Sequence, residues 1–500
     1  MFSVIYKESE EKMNRFLEVM TEKDAHTHNG ALTNSTSHNA CLDLFFLAGA
    51  CRNESEKNII NKLVQSYSED RVKTLKIIFW AGDIRQGAGE RRFLKLALNW
   101  LKNNHKEDLE QYLSYVPEFS RWDVLFDLVD NDSVLNYICE NIKTNGLLCK
   151  WLPRKTSTVD KRKKVDGDTT TITKKRRFLY NGLASKIQQK LGLTPKEYRK
   201  LIVSNTKVVE QKMCAKKWNE IEYAHVPSVA MNKYNKAWYR NDEERFKAYI
   251  EDVKSGKSKI NASAIFPHDI VKSALNSCWT WNWKRTNMNE AQITQWNNLP
   301  NWLEGKANSI IPVCDVSGSM SGLPICISVG LGLYISERNE GVFKDAFITF
   351  SEQPQMQILK GNINDRIHQL VTSRWSNNTN FVKVFELILD KAIQNRLSQD
   401  DLPKTILAIS DMEFDCARSG DTNYEHIKAM YERYGYKLPQ IVFWNVNGRV
   451  GNLPVTVRDE NVALISGASP SIIKAVLTDN IIPVKIMDNA IEVERYAFIK

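Results

Sequence analysis

The pattern of hydrophobic and polar positions divides the chain into two regions. From Leu42 to residue 143 the pattern predicts one helix after another, separated by short breaks and with no convincing strands. Residues 306–500 instead alternate short apolar runs with longer amphipathic stretches, which is typical of buried parallel strands connected by helices. The helices predicted in the first region lie near residues 41–51, 54–67, 69–82, 88–104, 106–115, 119–129 and 132–143.

This pattern predicts a fold of class α + α/β with two domains. Residues 1–305 form an α-helical domain, and pairs of helices with short loops favour a HEAT-like repeat arrangement, although no fixed repeat period is present. Residues 306–500 form a doubly wound, mostly parallel sheet with helices on its faces. The second domain carries the most informative motif of the sequence.

The motif lies in the stretch SIIPVCDVSGSMSG, residues 309–322. Its apolar part, Ile310 to Cys314, predicts a buried strand, and the apolar stretch from Leu323 to Ser336 predicts a helix packed on the sheet. The turn between these two elements contains Asp315, Ser317 and Ser319. We therefore expect these side chains at the carboxyl end of a strand, where open α/β sheets bind their ligands.

Two later residues extend the candidate site. Thr379 lies in a polar loop before a predicted helix, and Asp411 directly follows a second apolar run, residues 405–410. Two carboxylates and three hydroxyls suit a hard cation, so we expect Mg²⁺ or another divalent cation at Asp315, Ser317, Ser319, Thr379 and Asp411. Alternatively, the two serines only cap the following helix. Glu413 and Asp415 either add negative charge or form a solvated turn.

Composition narrows the classes of function. The nine cysteines are scattered and form no C-x-x-C pair, which argues against a disulfide framework and a zinc site. The N-terminus has no secretory pattern, and no apolar stretch approaches the roughly 18 residues of a membrane span. We therefore expect a cytoplasmic protein without a membrane partner. Because no nucleophile–base or acid–acid pair has supporting context, we also expect no enzymatic activity.

The positive charge lies in the N-terminal part. The chain has a net charge of +10, whereas residues 306–500 contain 20 Lys and Arg against 22 Asp and Glu. A basic insertion at 154–177 contains two cationic runs: Lys161, Arg162, Lys163 and Lys164, and Lys174, Lys175, Arg176 and Arg177. The insertion predicts a projecting arm that contacts RNA phosphates, or else a solvated or localisation-type basic run.

A second basic string, GDIRQGAGERR, occupies residues 82–92. It lacks both the G-K-[ST] ending and the preceding strand of a phosphate-binding loop, so a tight helix–helix turn is the better interpretation. Its arginines, Arg85, Arg91 and Arg92, are either phosphate contacts or part of a solvated face. The aromatic residues around Trp238 could likewise stack on unpaired bases or form core.

The motif DVSGSM, with Thr379 and the strand that ends at Asp411, resembles the metal-ion-dependent adhesion site of a von Willebrand factor A domain. The resemblance covers roughly the last 195 residues, and Asn377 and Asn378 stand where the family usually has a glycine. It implies that Asp315, Ser317, Ser319 and Thr379 surround the metal and that Asp411 is a ligand, often through water. It also implies an open metal position that accepts a carboxylate from a protein partner.

The whole layout is similar to the Ro (TROVE) ribonucleoprotein family, in which helical repeats that bind RNA precede an A domain. GDIRQGAGERR, HVPSVAMNKY, DVSGSM and SDMEFD together look like an uncharacterised family of phage, bacterial and eukaryotic proteins with that layout. The resemblance implies a non-enzymatic protein that binds structured or misfolded RNA. The alternative is a metal-dependent protein-interaction scaffold that does not bind RNA.

Overall fold

A computed structural model describes residues 25–154, 181–278, 287–304, 309–350, 353–372, 380–416, 422–477 and 481–500. The predictions for Thr379 and for the cationic runs of the basic insertion lie outside the described residues. Contacts divide the chain into two compact units. The sheet unit contains Met1–Thr74, Pro267–Asn287 and Asn301–Val493, and the helical unit contains Leu75–Phe266, Met288–Pro300 and Glu494–Lys500.

Helices form most of the regular structure. In chain order they are α1 (Ala40–Ala48), α2 (Glu56–Glu69), α3 (Arg71–Gly82), α4 (Arg91–Asn104), α5 (Lys106–Tyr112), α6 (Val116–Phe119), α7 (Asp132–Asn141), α8 (Gly146–Trp151), α9 (Pro195–Asn205), α10 (Val209–Cys214), α11 (Ser228–Asn241), α12 (Glu243–Lys254), α13 (Pro267–Cys278), α14 (Glu290–Asn297), α15 (Leu323–Arg338), α16 (Ile363–Thr372), α17 (Phe381–Gln394), α18 (Asn423–Arg433) and α19 (Pro483–Ile491). Residues 181–191 are also helical. The α helix predicted near 119–129 is a 3-10 helix, Trp122–Leu128.

The strands form a short hairpin and one larger sheet. The hairpin pairs β1 (Ala25–His26) with β2 (Leu32–Thr33), where the sequence pattern predicted no strands. The larger sheet has the order β5-β4-β3-β6-β7-β8 and is parallel except for the β4–β5 pair. Its strands are β3 (Ile310–Cys314), β4 (Ala346–Thr349), β5 (Met356–Ile358), β6 (Thr405–Ser410), β7 (Gln440–Asn445) and β8 (Val462–Ser466). The prediction of a mixed α/β fold with a mostly parallel sheet is therefore confirmed.

Helix α15 packs closely between β3 and α13 because two of its positions are glycines. A Cβ at Gly332 would lie 2.2 Å from Sγ of Cys314, and one at Gly330 would lie 2.8 Å from the backbone N of His268. The far end of α15 is tied to the first residue of β3, because Asn339 donates from Nδ2 to the carbonyl of Ile310 at 2.8 Å. These contacts fix the position of α15 relative to β3, and therefore also the position of the turn that connects them.

Residues well before the predicted boundary at 305 belong to the sheet unit. Helix α1 is buried along almost its whole length and packs on β8, where Gly49 donates its N–H to Ser466 Oγ at 3.0 Å. Helix α13 packs on α15 and α16. A helix that is apolar on every side, as α1 is, must be enclosed by other elements, and the sheet unit encloses α1. The units therefore divide the chain at places other than residue 305.

The last residues of the chain pack into the helical unit. Asp83, in the GDIRQGAGERR string, is fully buried and forms an ion pair with Arg495. The hydroxyl of Tyr496 donates to Asp83 Oδ2 at 3.1 Å. Phe498 stacks on Tyr115 with ring centroids 3.9 Å apart. The string is thus part of a packed turn between α3 and α4.

The aromatic residues around Trp238 are core. Tyr223, Trp238, Phe246 and Tyr249 belong to one buried cluster of the helical unit. Most neighbouring rings meet edge-on or tilted, such as Tyr223 and Trp238 at 5.6 Å between centroids. Because these faces are covered by other side chains, they do not form a stacking platform for bases.

Of the helices that the structure describes, none is both long enough and apolar enough to span a bilayer.

We expect Arg495→Gln to destabilise the helical unit by on the order of 2–4 kcal/mol, because it leaves the Asp83 carboxylate buried without its counter-ion. Urea unfolding followed by tryptophan fluorescence measures the loss. Arg240→Gln, which removes an exposed arginine of the same unit, is the control. The double variant Asp83→Asn/Arg495→Gln should be more stable than Arg495→Gln, and an equally unstable double variant would contradict the ion-pair explanation.

Candidate metal centre

The candidate site lies where the chain reverses its direction of travel across the sheet. From β3 the chain proceeds to β4 and β5 on one side, and from β6 to β7 and β8 on the other. Ligands of open α/β sheets bind at such a switch point, outside the carboxyl ends of the two central strands. Asp315 follows β3 directly and Asp411 follows β6 directly, so the two aspartates meet at this point.

The register of the two strands positions Asp315. Cys314 pairs with Ile409, and the next N–H, that of Asp315, donates to the carbonyl of Ile409 at 3.0 Å. Ser410 therefore lies level with Asp315 and donates from Oγ to Oδ2 at 2.6 Å. The N–H of Ser317 donates to Oδ1 at 2.8 Å. Burial raises the pKa of Asp315, and the hydrogen bonds from Ser410 and Ser317 oppose this rise.

The two serines of the motif do not cap the following helix. Helix α15 begins after Gly322, which has a φ of 91° and no side chain to accept a hydrogen bond. Ser317 makes no side-chain capping bond either, and its hydroxyl lies 3.0 Å from that of Ser319. Ser317 is buried whereas Ser319 is exposed. The capping alternative is therefore wrong, and the hydroxyls form a pair beside the aspartates.

Asp411 has the least satisfied carboxylate of the site. Its side chain is about 1% exposed, and Oδ1 accepts a hydrogen bond from the N–H of Glu413 at 3.3 Å. Oδ2 is buried and has no hydrogen-bond partner among the described residues. Burial and the nearby charge of Asp315 raise the pKa of Asp411 to about 6, against the influence of the Ser319 hydroxyl. A buried, unpaired carboxylate oxygen is costly unless another group compensates it.

The loop after Asp411 is held by a segment that the sequence did not indicate. Glu413 is buried, accepts the N–H of His28 at 2.5 Å, and lies 3.6 Å from Nη1 of Arg449. Thr27 donates from Oγ1 to the carbonyl of Phe414 at 2.7 Å. For Glu413, the alternative of a solvated turn is therefore wrong. No local pattern links residues 27 and 28 to this loop, because the contacts span more than 380 positions of the sequence.

These residues suit a small, hard cation. The described donors are two carboxylates and two hydroxyls, and an oxygen-only set of this kind fits Mg²⁺, which retains several waters. In the part of the chain that the structure describes, no group of three or more His, Cys, Asp or Glu could hold a metal ion, so the candidate site depends on two carboxylates together with hydroxyls. The unpaired Oδ2 of Asp411 is the observation that fits a cation best.

The arginines of the GDIRQGAGERR string lie in the helical unit. Arg85 is exposed but donates from Nη1 to the carbonyl of Glu118 at 3.0 Å. Arg91 lies 3.9 Å from Asp123, and Arg92 follows the first residue of α4. Arg85 and Arg91 thus contact neighbouring protein groups while remaining exposed. The remaining predicted nucleic-acid contacts lie in the basic insertion, outside the described residues.

The fold and site together define a protein with a helical unit and an α/β unit that carries two buried carboxylates at its switch point. One family profile, described as Domain of unknown function (DUF2828), matches residues 27–118 and 127–307. Another, described as Domain of unknown function (DUF7788), matches residues 309–496. Because the first profile covers more than half of the chain, the protein belongs to the DUF2828 family. An uncharacterized protein of Acanthamoeba polyphaga mimivirus is 26% identical over 490 residues, covering 90% of this chain and 84% of the viral protein.

We expect Asp411→Asn to stabilise the metal-free protein at pH 8. The folded-state pKa of about 6 lies above the ordinary value of 3.8, so this carboxyl lowers the stability of the fold as the pH rises from about 3.8 to about 6, and the full loss is present above that pH. The variant should gain on the order of 1–3 kcal/mol in EDTA at pH 8. The gain should vanish towards pH 4, where the parent carboxyl is protonated. Urea unfolding at both pH values measures it, and a loss of stability at pH 8 would contradict the repulsion between the aspartates.

Proposed function

We propose that the protein is a non-enzymatic, cytoplasmic RNA-binding protein whose sheet unit is a von Willebrand factor A-like domain with a bound divalent cation. In this proposal the basic helical unit contacts RNA, and the cation site contributes to packing or recruits a protein partner. The observation that carries the cation site is the meeting of Asp315 and Asp411 with one buried carboxylate oxygen left unpaired.

The A-like assignment draws on topology and motif together. A mostly parallel sheet and a D-x-S-x-S turn at its switch point support this assignment. Asp315, Ser317, Ser319 and Asp411 would surround the cation, and Thr379, which lies outside the described residues, would be a fifth residue of the site. The cation would neutralise the paired carboxylates and offer an open position to a carboxylate of the partner.

The proposal of RNA binding draws on the distribution of charge. The helical unit carries 39 Lys and Arg against 25 Asp and Glu, whereas the sheet unit carries 30 against 34. The positive excess thus belongs entirely to the helical unit. Contacts between a basic surface and phosphates give binding that depends strongly on salt and weakly on sequence.

A second candidate function is a protein-interaction scaffold that uses the cation site alone. It is favoured by the position of the site, because Ser319 is exposed beside the buried aspartates and a partner could approach it there. The two candidates differ in one respect, because only the first requires RNA to bind.

We expect Mg²⁺ to raise the melting temperature of the EDTA-treated parent at constant ionic strength. Saturation at about 100 times the dissociation constant would add about 2.7 kcal/mol of stability. Asp411→Asn should abolish the shift and Ser319→Ala should weaken it. Asp390→Asn, which removes an exposed carboxylate from the same unit, should leave it intact. A shift that survives in Asp411→Asn would disprove this cation site, and Mn²⁺ and Ca²⁺ titrations would rank the metals.

We expect RNA to bind the parent protein with an affinity that falls steeply between about 50 and 200 mM KCl. Replacing residues 161–164 and 174–177 by glutamine should lower the affinity at least tenfold for every RNA sequence, because phosphate contacts are lost. Fluorescence anisotropy with a labelled single-stranded RNA measures both effects. If the variant binds as tightly as the parent at low salt, the basic insertion is not a contact. If the parent itself does not bind, the scaffold candidate is favoured.

A further inference from the structure

The helical unit contains an open cavity of about 400 Å³ at one end of α8 and α9. Residues 143–147 form one wall, and Asn205 and Lys207 form the other. The two walls approach closely at Gly146, where a Cβ would lie 3.0 Å from the carbonyl oxygen of Asn205. The cavity is more than ten times the roughly 30 Å³ that one water occupies, so it can admit a phosphate together with its sugar.

The lining of this cavity is polar and cationic. Lys143 and Lys207 are exposed, and neither has an ion-pair partner in the described part of the chain. No lining residue is acidic, and Thr144 and Asn205 contribute further polar groups. Many lysines elsewhere in the unit are neutralised instead, as in the pairs Lys95–Asp127, Lys102–Asp130, Lys150–Glu210 and Lys254–Glu290.

The basic character continues from the cavity along α9. Its exposed side carries Lys196, Arg199 and Lys200, which also lack acidic partners among the described residues. Its inner side is anchored by Tyr198, whose hydroxyl donates to the carbonyl of Pro153 at 3.2 Å. Helix α9 is roughly 16 Å long at 1.5 Å per residue, and Pro153 immediately precedes the basic insertion in sequence. Helix α9 therefore connects the cavity with the residue before the insertion, and its first half carries three basic residues and one carboxylate, Glu197.

We infer that this cavity binds a backbone phosphate of RNA, with Lys143 and Lys207 as its cationic contacts. The inference rests on the proposed RNA-binding function and assigns it a particular place. The chemistry is that of a phosphate diester, because two lysines can neutralise its charge. No aromatic ring lines the cavity, so it makes no stacking contact with a base. Binding at this site should accordingly be insensitive to sequence.

The first test is the double variant Lys143→Gln/Lys207→Gln of the full-length chain, with the labelled single-stranded RNA as probe. We expect at least tenfold weaker binding at about 50 mM KCl. The slope of log K against log salt should be shallower by about 0.7, which corresponds to one lost phosphate contact on a single strand. The control variant, Lys257→Gln/Lys259→Gln, removes the same charge from exposed lysines of the same unit and should change the affinity less than twofold.

The second test uses the parent protein and so does not depend on the folding of a variant. RNA should slow the acetylation of Lys143 and Lys207, measured by mass spectrometry, but not that of Lys257 and Lys259. Equal behaviour of the two double variants, with no protection of Lys143 and Lys207, overturns the cavity as a site while RNA binding by the parent stands. A parent that does not bind RNA overturns both proposals. Protection by anionic lipid vesicles but not by RNA overturns the choice of ligand.

Discussion

Two buried carboxylates held side by side are the physical constraint around which the sheet unit is built. The parallel pairing of β3 and β6 brings Asp315 and Asp411 together at the carboxyl ends of the two central strands. Burial raises the pKa of both carboxyls, and the charge of Asp315 raises that of Asp411 further. Hydrogen bonds from Ser410 and Ser317 satisfy Asp315, so the uncompensated charge is concentrated on Asp411. A fold retains such an arrangement at a cost in stability, which is why buried carboxylates of this kind indicate binding sites.

The support for this site comes from distant parts of the chain. Helix α15 approaches β3 closely because Gly332 has no side chain, and residues 27 and 28 hold the loop that follows Asp411. Asn452 adds a hydrogen bond from Nδ2 to the carbonyl of Met412 at 3.0 Å. The N-terminal residues therefore contribute directly to the geometry of the sheet unit, and a fragment that begins at residue 306 would lack them.

The two units carry net charges of opposite sign, and each sign favours a different kind of ligand. The sheet unit has a slight negative excess and a pair of buried carboxylates, which favours a cation. The helical unit has a net charge of +14, and its unpaired lysines near α9 favour a polyanion. The proposed cation site is negatively charged and the proposed RNA site is positively charged. The cation and the RNA would therefore bind to different surfaces.

Local sequence determined the strands that end just before Asp315 and Asp411, because each is a short apolar run followed by polar turn residues, a pattern typical of buried parallel strands. It also determined the helix after DVSGSM and the basic character of the region before residue 305. Only the tertiary structure decided that Ser410 bonds Asp315, that Glu413 is buried, and that α1 and α13 belong with the sheet. The reason is physical, since periodicity reports which face of an element is buried, whereas strand register and contacts across hundreds of residues determine what covers that face.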